Sequence, residues 1–185
     1  MSMKPTTDKI AIKDLRVLGS YSKMYHDADT YPHSLRKLSK DVKKNDITAI
    51  TMAALLLSHM LSPNAIIIPV PQSSGIAEYT LEIANTIKVI RQDCKVLDIL
   101  SGTPRKKLYE IKKSKSSLKG VKTGMKVKED ADCLATLQEN SNNIFLLDNV
   151  VNTGFTFDRA KRALKKYTKK IEPALLAISA TSNWF

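Results

Sequence analysis

The sequence predicts an α/β fold, a parallel sheet flanked by helices. Three observations point there. "NAIIIPVP" (64–71) and "NIFLLD" (143–148) are short apolar runs without polar alternation, as in strands buried on both faces. Each is followed by a polar turn containing glycine and then by apolar residues at helical spacing. Strand and helix patterns alternate from residue 46 onward, which is the signature of βαβ units.

Residues 1–33 are irregular and mixed, with "KIAIKDLRVLGSYS" able to supply a short strand. "YPHSLRKLSKDVKK" predicts a short basic helix with Leu35, Leu38 and Val42 on one face. "NDITAITMAALLLSHMLS" predicts a mostly buried helix capped by Asp46, with Met52, Met60 and His59 in the core. After the strand at 64–71, "GIAEYTLEIANTIKVI" predicts a helix with Ile76, Tyr79, Ile83, Ile87 and Ile90 as its apolar stripe. "CKVLDIL" is the next strand. In the polar, weakly patterned stretch 101–128, "LYEIKK" and "GMKVK" are candidates for a hairpin. "DADCLATLQ" predicts a short helix and "NIFLLD" a third strand ending at Asp148. "TFDRAKRALKKY" predicts a helix with Phe157, Ala160, Leu164 and Tyr167 inward, and "PALLAISA" the last strand.

At 185 residues the chain suits one domain with a core that needs no staples. No run is long and apolar enough to span a membrane, and the N-terminus lacks the apolar segment of a signal peptide, so a cytoplasmic location is expected. Cys94 and Cys133 are far apart and belong to no metal-ligand pattern, so two reduced thiols are expected. His26 and His33 share no spacing with acids or cysteines, and Asp27 and Asp29 suit a turn.

Ligands in open α/β sheets sit beyond the carboxyl ends of the strands, so the loops after residues 70, 100 and 148 are the places to seek chemistry. In "DNVVNTGFTF" the amides of a nascent helix N-terminus and Gly154 suit a phosphate. The hydroxyls of Thr153 and Thr156 and the amide of Asn152 are further donors. Asp148 and Asn149 stand upstream, where they would accept from sugar hydroxyls. The competing reading is a plain strand–turn–helix link with Thr156 as the N-cap. It is no P-loop, because no Gly-Lys-Ser/Thr follows.

The formal net charge is +12, which favours anionic partners. Residues 105–128 hold ten Lys or Arg against one acid, Glu110, and residues 159–170 hold seven against none. Either run also reads as a solvated face.

"IFLLDNVVNTGFTF" resembles the phosphoribosyl-pyrophosphate motif of type I phosphoribosyltransferases: an apolar strand, two acids, two apolar residues, two hydroxyl residues, then Gly-x-Thr. Within that family "IIIPVPQS" and "YSKMYHDADTYPHSLRKLSKDVK" resemble the competence-associated branch of predicted amidophosphoribosyltransferases. The resemblance implies a core over 46–185 and a small N-terminal hood over 1–45. It implies that Asp148 and Asn149 face the ribose and that Asn152, Thr153, Gly154, Phe155 and Thr156 hold the 5-phosphate. It also implies that Gln72, Ser73, Ser74 and Gly75 form the pyrophosphate loop. A mobile basic loop follows the second strand, with Arg105, Lys106 and Lys107 as candidates to reach the ligand. Magnesium would accompany the substrate, with Asp148 as its protein ligand, and a homodimer fits the family. Asn149 stands where the family has a second carboxylate, Asn152 where it has a hydroxyl residue, and Phe155 where it has a small one.

The expected function is therefore transfer of a phosphoribosyl group to a nitrogen acceptor. Nearby negative charge would stabilise the oxocarbenium-like transition state, which the loss of one carboxylate weakens. The alternative is a non-catalytic phosphoribosyl- or nucleotide-binding regulator on the same fold. A third reading is nucleic-acid binding through the basic runs.

Overall fold

The computed structural model describes residues 16–17, 20–21, 35–107, 110–111, 121, 123–139, 143–151, 154–168 and 170–179. The strands are β1 (Arg16–Val17), β2 (Ser20–Tyr21), β3 (Ile66–Pro69), β4 (Lys95–Val96), β5 (Leu100–Ser101), β6 (Lys126–Val127), β7 (Ile144–Val151) and β8 (Glu172–Ser179). The helices are α1 (Leu35–Val42), α2 (Ile47–Ser58), α3 (Tyr79–Ile90), α4 (Ala131–Glu139) and α5 (Phe155–Leu164).

The main sheet runs β1-β8-β7-β3-β4, with β2 also paired to β8, and every pair is parallel. Parallel neighbours need crossovers, and α3 links β3 to β4 as α5 links β7 to β8. The α/β class and the parallel, helix-flanked sheet are as the sequence predicts.

Alternation along the strands sorts their side chains between two cores. Ile67, Phe145, Leu147 and Ala174 pack with α1, α2 and α3, whereas Ile66, Ile68, Ile144 and Leu146 pack with Leu137 of α4 and with Phe157, Ala160 and Leu164 of α5. On α1, Leu38 and Val42 are buried and Leu35 packs against them.

Helix ends are tied down by side chains. Asp46 Oδ1 accepts from the Ala49 amide at 2.8 Å, the expected N-cap of α2. Beyond the other end of α2, the Arg91 guanidinium donates to the carbonyls of Ser58, Leu61 and Ser62 at 3.0, 2.7 and 3.2 Å. Asp93 accepts from the same guanidinium at 2.6 Å and from the Asn64 amide at 2.8 Å. The C-cap residue of α3 thus fastens the exit of α2.

Several expectations are corrected. α2 buries one side only: Ala49, Ile50, Ala53, Ala54 and Leu57 face the core, while Ile47, Met52, Leu55 and Leu56 are exposed. The helix lies on the outside of the sheet, and among the described residues its second apolar face meets no further layer. His59 is exposed at the helix end, whereas Met60 packs on the core as expected. Ile76 precedes α3 and Ile90 is its last residue, and both are exposed. "CKVLDIL" splits: β4 joins the main sheet, and β5 leaves it to pair antiparallel with β6, Leu100 opposite Val127. The partner of "GMKVK" is therefore not "LYEIKK", of which Glu110 and Ile111 lie in a helical turn. Leu100 is fully buried and Val127 packs on the same core, which fixes that pairing. Cys94 and Cys133 are free thiols, Cys94 buried and Cys133 half-buried.

Candidate functional site

The strand order places the site. The chain steps from β3 outward to β4, then crosses back to the other side of β3 to form β7. The reversal falls between β3 and β7, and in open α/β sheets the crevice that takes a ligand lies at such a point, beyond the carboxyl ends of the strands.

Sequence makes the two strands part company. β3 pairs with β7 from Ile66 opposite Ile144 to Pro69 opposite Leu147. The Val70 amide still reaches the Leu147 carbonyl at 3.0 Å, but Pro71 has no N–H to continue the ladder. β7 runs on to Val151, and among the described residues its last part pairs with β8 alone. Asp148 is the first residue of β7 beyond the last β3 partner, at the lip of the opening. The strand does not end at Asp148 as the sequence suggested, because Val150 and Val151 extend it.

Alternation then separates Asp148 from Asn149. Asn149 is fully buried on the α1 side, and its Nδ2 donates to the Ser39 carbonyl at 2.9 Å. A side chain held there cannot take a sugar hydroxyl, so the expected ribose role of Asn149 is withdrawn. The same contact explains the residue type: an amide can donate to a carbonyl and a carboxylate cannot.

Asp148 is half-buried, and its Oδ1 accepts from the Asn149 amide at 2.7 Å. Burial pushes its pKa up to about 6, against the opposing pull of that amide and of Lys43 and Arg105. Desolvation lowers the pKa of both cations, and the charge of Asp148 holds each of them up. Tyr79, at the start of α3, has its hydroxyl pKa raised by burial and then by the charge of Asp148. Three segments thus lie within the electrostatic reach of one acid: the α1–α2 corner, the loop after β5 and the N-terminus of α3. Lys107 adds a further positive field at Lys43.

The loop after β3 is a tight turn. The Gly75 amide donates to the Gln72 carbonyl at 3.1 Å, and the Gln72 amide to the Ile76 carbonyl at 3.0 Å. With its side-chain oxygen turned to α3, Gln72 accepts from the Glu78 and Tyr79 amides at 3.1 Å and donates to Glu78 Oε2 at 3.1 Å. Gln72 therefore caps a helix and does not face a ligand. Gly75 has φ +90°, and a Cβ there would collide with the Gly102 carbonyl oxygen. The loops are stitched together: the Gly102 amide donates to the Gly75 carbonyl and the Arg105 amide to the Ser73 carbonyl, both at 2.8 Å. Among the described residues the amides of Ser73 and Ser74 carry no hydrogen bond.

At the third loop, Gly154 is the N-cap of α5 at φ 69°, with no side-chain cap. Thr156 is thus inside the helix and not its cap. Its hydroxyl faces Arg105, whose Nη2 lies 3.5 Å from Oγ1, at the limit of a hydrogen bond. Phe155 is half-buried with the Arg159 guanidinium 5.1 Å from its ring centre, so the ring is occupied by a cation–π contact. Asn152 and Thr153 lie outside the described residues, as do most of residues 108–120 in the basic loop. Of the three cations expected to reach the site, Arg105 does so, and Lys106 and Lys107 are exposed.

Sequence reasoning missed Lys43 and Tyr79. Tyr79 reads as one member of an apolar stripe, and Lys43 as one lysine in "KDVKK". The packing of α1 against α2 and β8 sets the exposed Lys43, at the α1–α2 corner, within the field of Asp148.

Among the described residues no three His, Cys, Asp or Glu cluster as a metal site. Asp148 alone, beside two cations, does not make a resident magnesium site, since magnesium commonly relies on one or two carboxylates together with substrate phosphates. No helix among the described residues is long and apolar enough to cross a membrane. Compared with known proteins, the chain matches no family model and no curated protein.

Proposed function

We propose that this crevice binds phosphoribosyl pyrophosphate and that the protein transfers its phosphoribosyl group to a nitrogen acceptor. The observation that carries this reading is the meeting of a lone acid, Asp148, with Arg105, Thr156 and the Ser73–Ser74 turn at the strand-order reversal.

Each part has a chemical task. Amides at the N-terminus of α5 and the Thr156 hydroxyl suit a 5-phosphate. Asp148 accepts from the ribose hydroxyls. The free amides of Ser73 and Ser74, with Arg105 and Lys43, suit the pyrophosphate. Magnesium, carried by the diphosphate, would neutralise part of its charge, with Asp148 as the carboxylate to hold it. In the transfer, the C1–O bond breaks with its electron pair leaving on pyrophosphate. A C1–N bond forms, and the acceptor nitrogen loses a proton. The ring carries positive charge as this happens, and ionised Asp148 stabilises it.

A second reading is binding without turnover. It is favoured by the burial of Asn149, which leaves Asp148 as the single acid of β7. Titration calorimetry with phosphoribosyl pyrophosphate and magnesium tests the binding, and release of pyrophosphate across a panel of bases and amines tests the transfer. We expect saturable heat, weakened about tenfold in Thr156→Ala for the loss of roughly 1.4 kcal/mol of charge-assisted hydrogen bonding. Absence of heat at millimolar ligand would overturn the reading. Heat without pyrophosphate release would select the second.

A further inference from the structure

A second cationic surface lies away from this crevice. A groove of about 710 Å³ runs between β6 and the C-terminal end of α5. Lys126 stands on one wall, and Arg162, Lys165 and Lys166 on the other, with Glu129 as its only acid among the described residues. All four cations are exposed, and none has an ion pair among the described residues. Arg162, the nearest lining residue on α5, is six residues from Thr156, roughly 9 Å along the helix axis.

Its apolar lining is already used. Met125, Val127, Ala163 and Tyr167 are half-buried and pack against the core beneath, and Lys166 Nζ lies 5.1 Å from the Tyr167 ring centre. The groups the groove offers outward are therefore the cations. Cations near a helix C-terminus are favoured by the helix dipole, which accounts for part of the charge on α5. It does not account for Lys126, which sits on a strand across the groove.

We propose that this groove binds the phosphodiester backbone of a nucleic acid, without reading its sequence. Lys165 and Lys166 follow Arg162 at i+3 and i+4, in the turn that continues α5, so each stands about 5–6 Å from Arg162. That is the scale on which a nucleic acid repeats its phosphates. A second row from Lys126 makes the site two-sided, so that a strand can lie along it. A protein partner would need apolar anchors at its centre, and those side chains are committed to the core.

The probes are a fluorescein-labelled single-stranded oligonucleotide and the corresponding duplex, measured by anisotropy between about 50 and 200 mM salt. Lys126→Glu/Arg162→Glu is compared with Lys88→Glu/Lys95→Glu, which changes net charge equally on exposed residues elsewhere. We expect binding that falls steeply with salt, a groove variant at least about tenfold weaker than the control, and a salt slope smaller by about 2. Lys126→Ala/Arg162→Ala, with its fold checked by circular dichroism, serves if the reversed variant does not fold. Binding of either oligonucleotide in this pattern supports the proposal, and the tighter arm identifies the form recognised. Equal loss in groove variant and control would overturn it, as would no binding at the lowest salt. Equal competition by polyglutamate of matched charge would point to an acidic protein instead.

Discussion

At the scale of single residues, Asp148 and Asn149 are neighbours in sequence and live on opposite faces of β7. Asn149 is fully buried with Nδ2 on the Ser39 carbonyl. Asn149→Asp would put a carboxylate against a carbonyl with no donor and should cost about 3–5 kcal/mol at neutral pH. The sign with pH follows from the burial. The introduced acid would have its folded pKa raised, so the protein is least affected below the unfolded value of about 3.9 and loses stability as pH rises above it. Chemical denaturation at several pH values measures this, and an undiminished stability at pH 7 would refute it. Asp148 gives the same sign in the wild-type chain. Its folded pKa, pushed up to about 6, lies above the ordinary value, so its ionisation destabilises the fold progressively between about pH 4 and 6. Asp148→Asn should therefore match the wild type near pH 4, melt higher above pH 6, and bind a phosphorylated pentose less well. Such an exchange of stability for function is what a binding acid in a crowded lip should show. The separation of the pair has a signal in the sequence. Val150 and Val151 prolong the strand, and a period of two then sends adjacent residues to opposite faces.

At the scale of elements, the turns decide how the loops meet. Gly75 combines φ +90° with a collision between any Cβ and the Gly102 carbonyl. Gly75→Ala must open the contact that joins the β3 loop to the loop carrying Arg105. We predict a loss of about 2 kcal/mol or more in urea unfolding, with a lower affinity for phosphoribosyl pyrophosphate. A variant of native stability and affinity would show that the two loops act independently. Asp46→Ala, which removes the cap of α2, should cost only about 1 kcal/mol and leave the affinity unchanged. These elements differ in how far the sequence reveals them. The Asp46 cap, the strand broken at Pro69–Pro71 and the stripe of Phe157, Ala160 and Leu164 follow from local chemistry. The pairing of β5 with β6 does not, because Leu100 and Val127 find each other through a shared core. The exposed face of α2 escapes for the same kind of reason: an all-apolar helix looks buried until the layers are counted.

At the scale of the whole molecule, strand order turns scattered loops into one site. The alternating pattern predicts a parallel sheet, yet only the observed order β4-β3-β7-β8 puts the loops after Val70 and Val151 side by side. Lys43 joins them through the packing of α1, which no local pattern encodes. The charge of +12 makes this arrangement sensitive to anions in two distinguishable ways. Like charges repel in the compact state, so any added salt should raise the melting temperature by screening. A ligand gripped by several loops binds the folded chain and not the unfolded one. At a hundred times its dissociation constant it adds about 2.7 kcal/mol. For a domain of this size that is a rise of roughly 5–10 °C. Phosphoribosyl pyrophosphate with magnesium should therefore raise the melting temperature well beyond sodium chloride of equal ionic strength. The excess should saturate with ligand concentration and shrink in Thr156→Ala, while the rise caused by salt persists in that variant. Equal shifts from ligand and salt would mean that the crevice responds only to the general field of the molecule and holds no phosphorylated sugar.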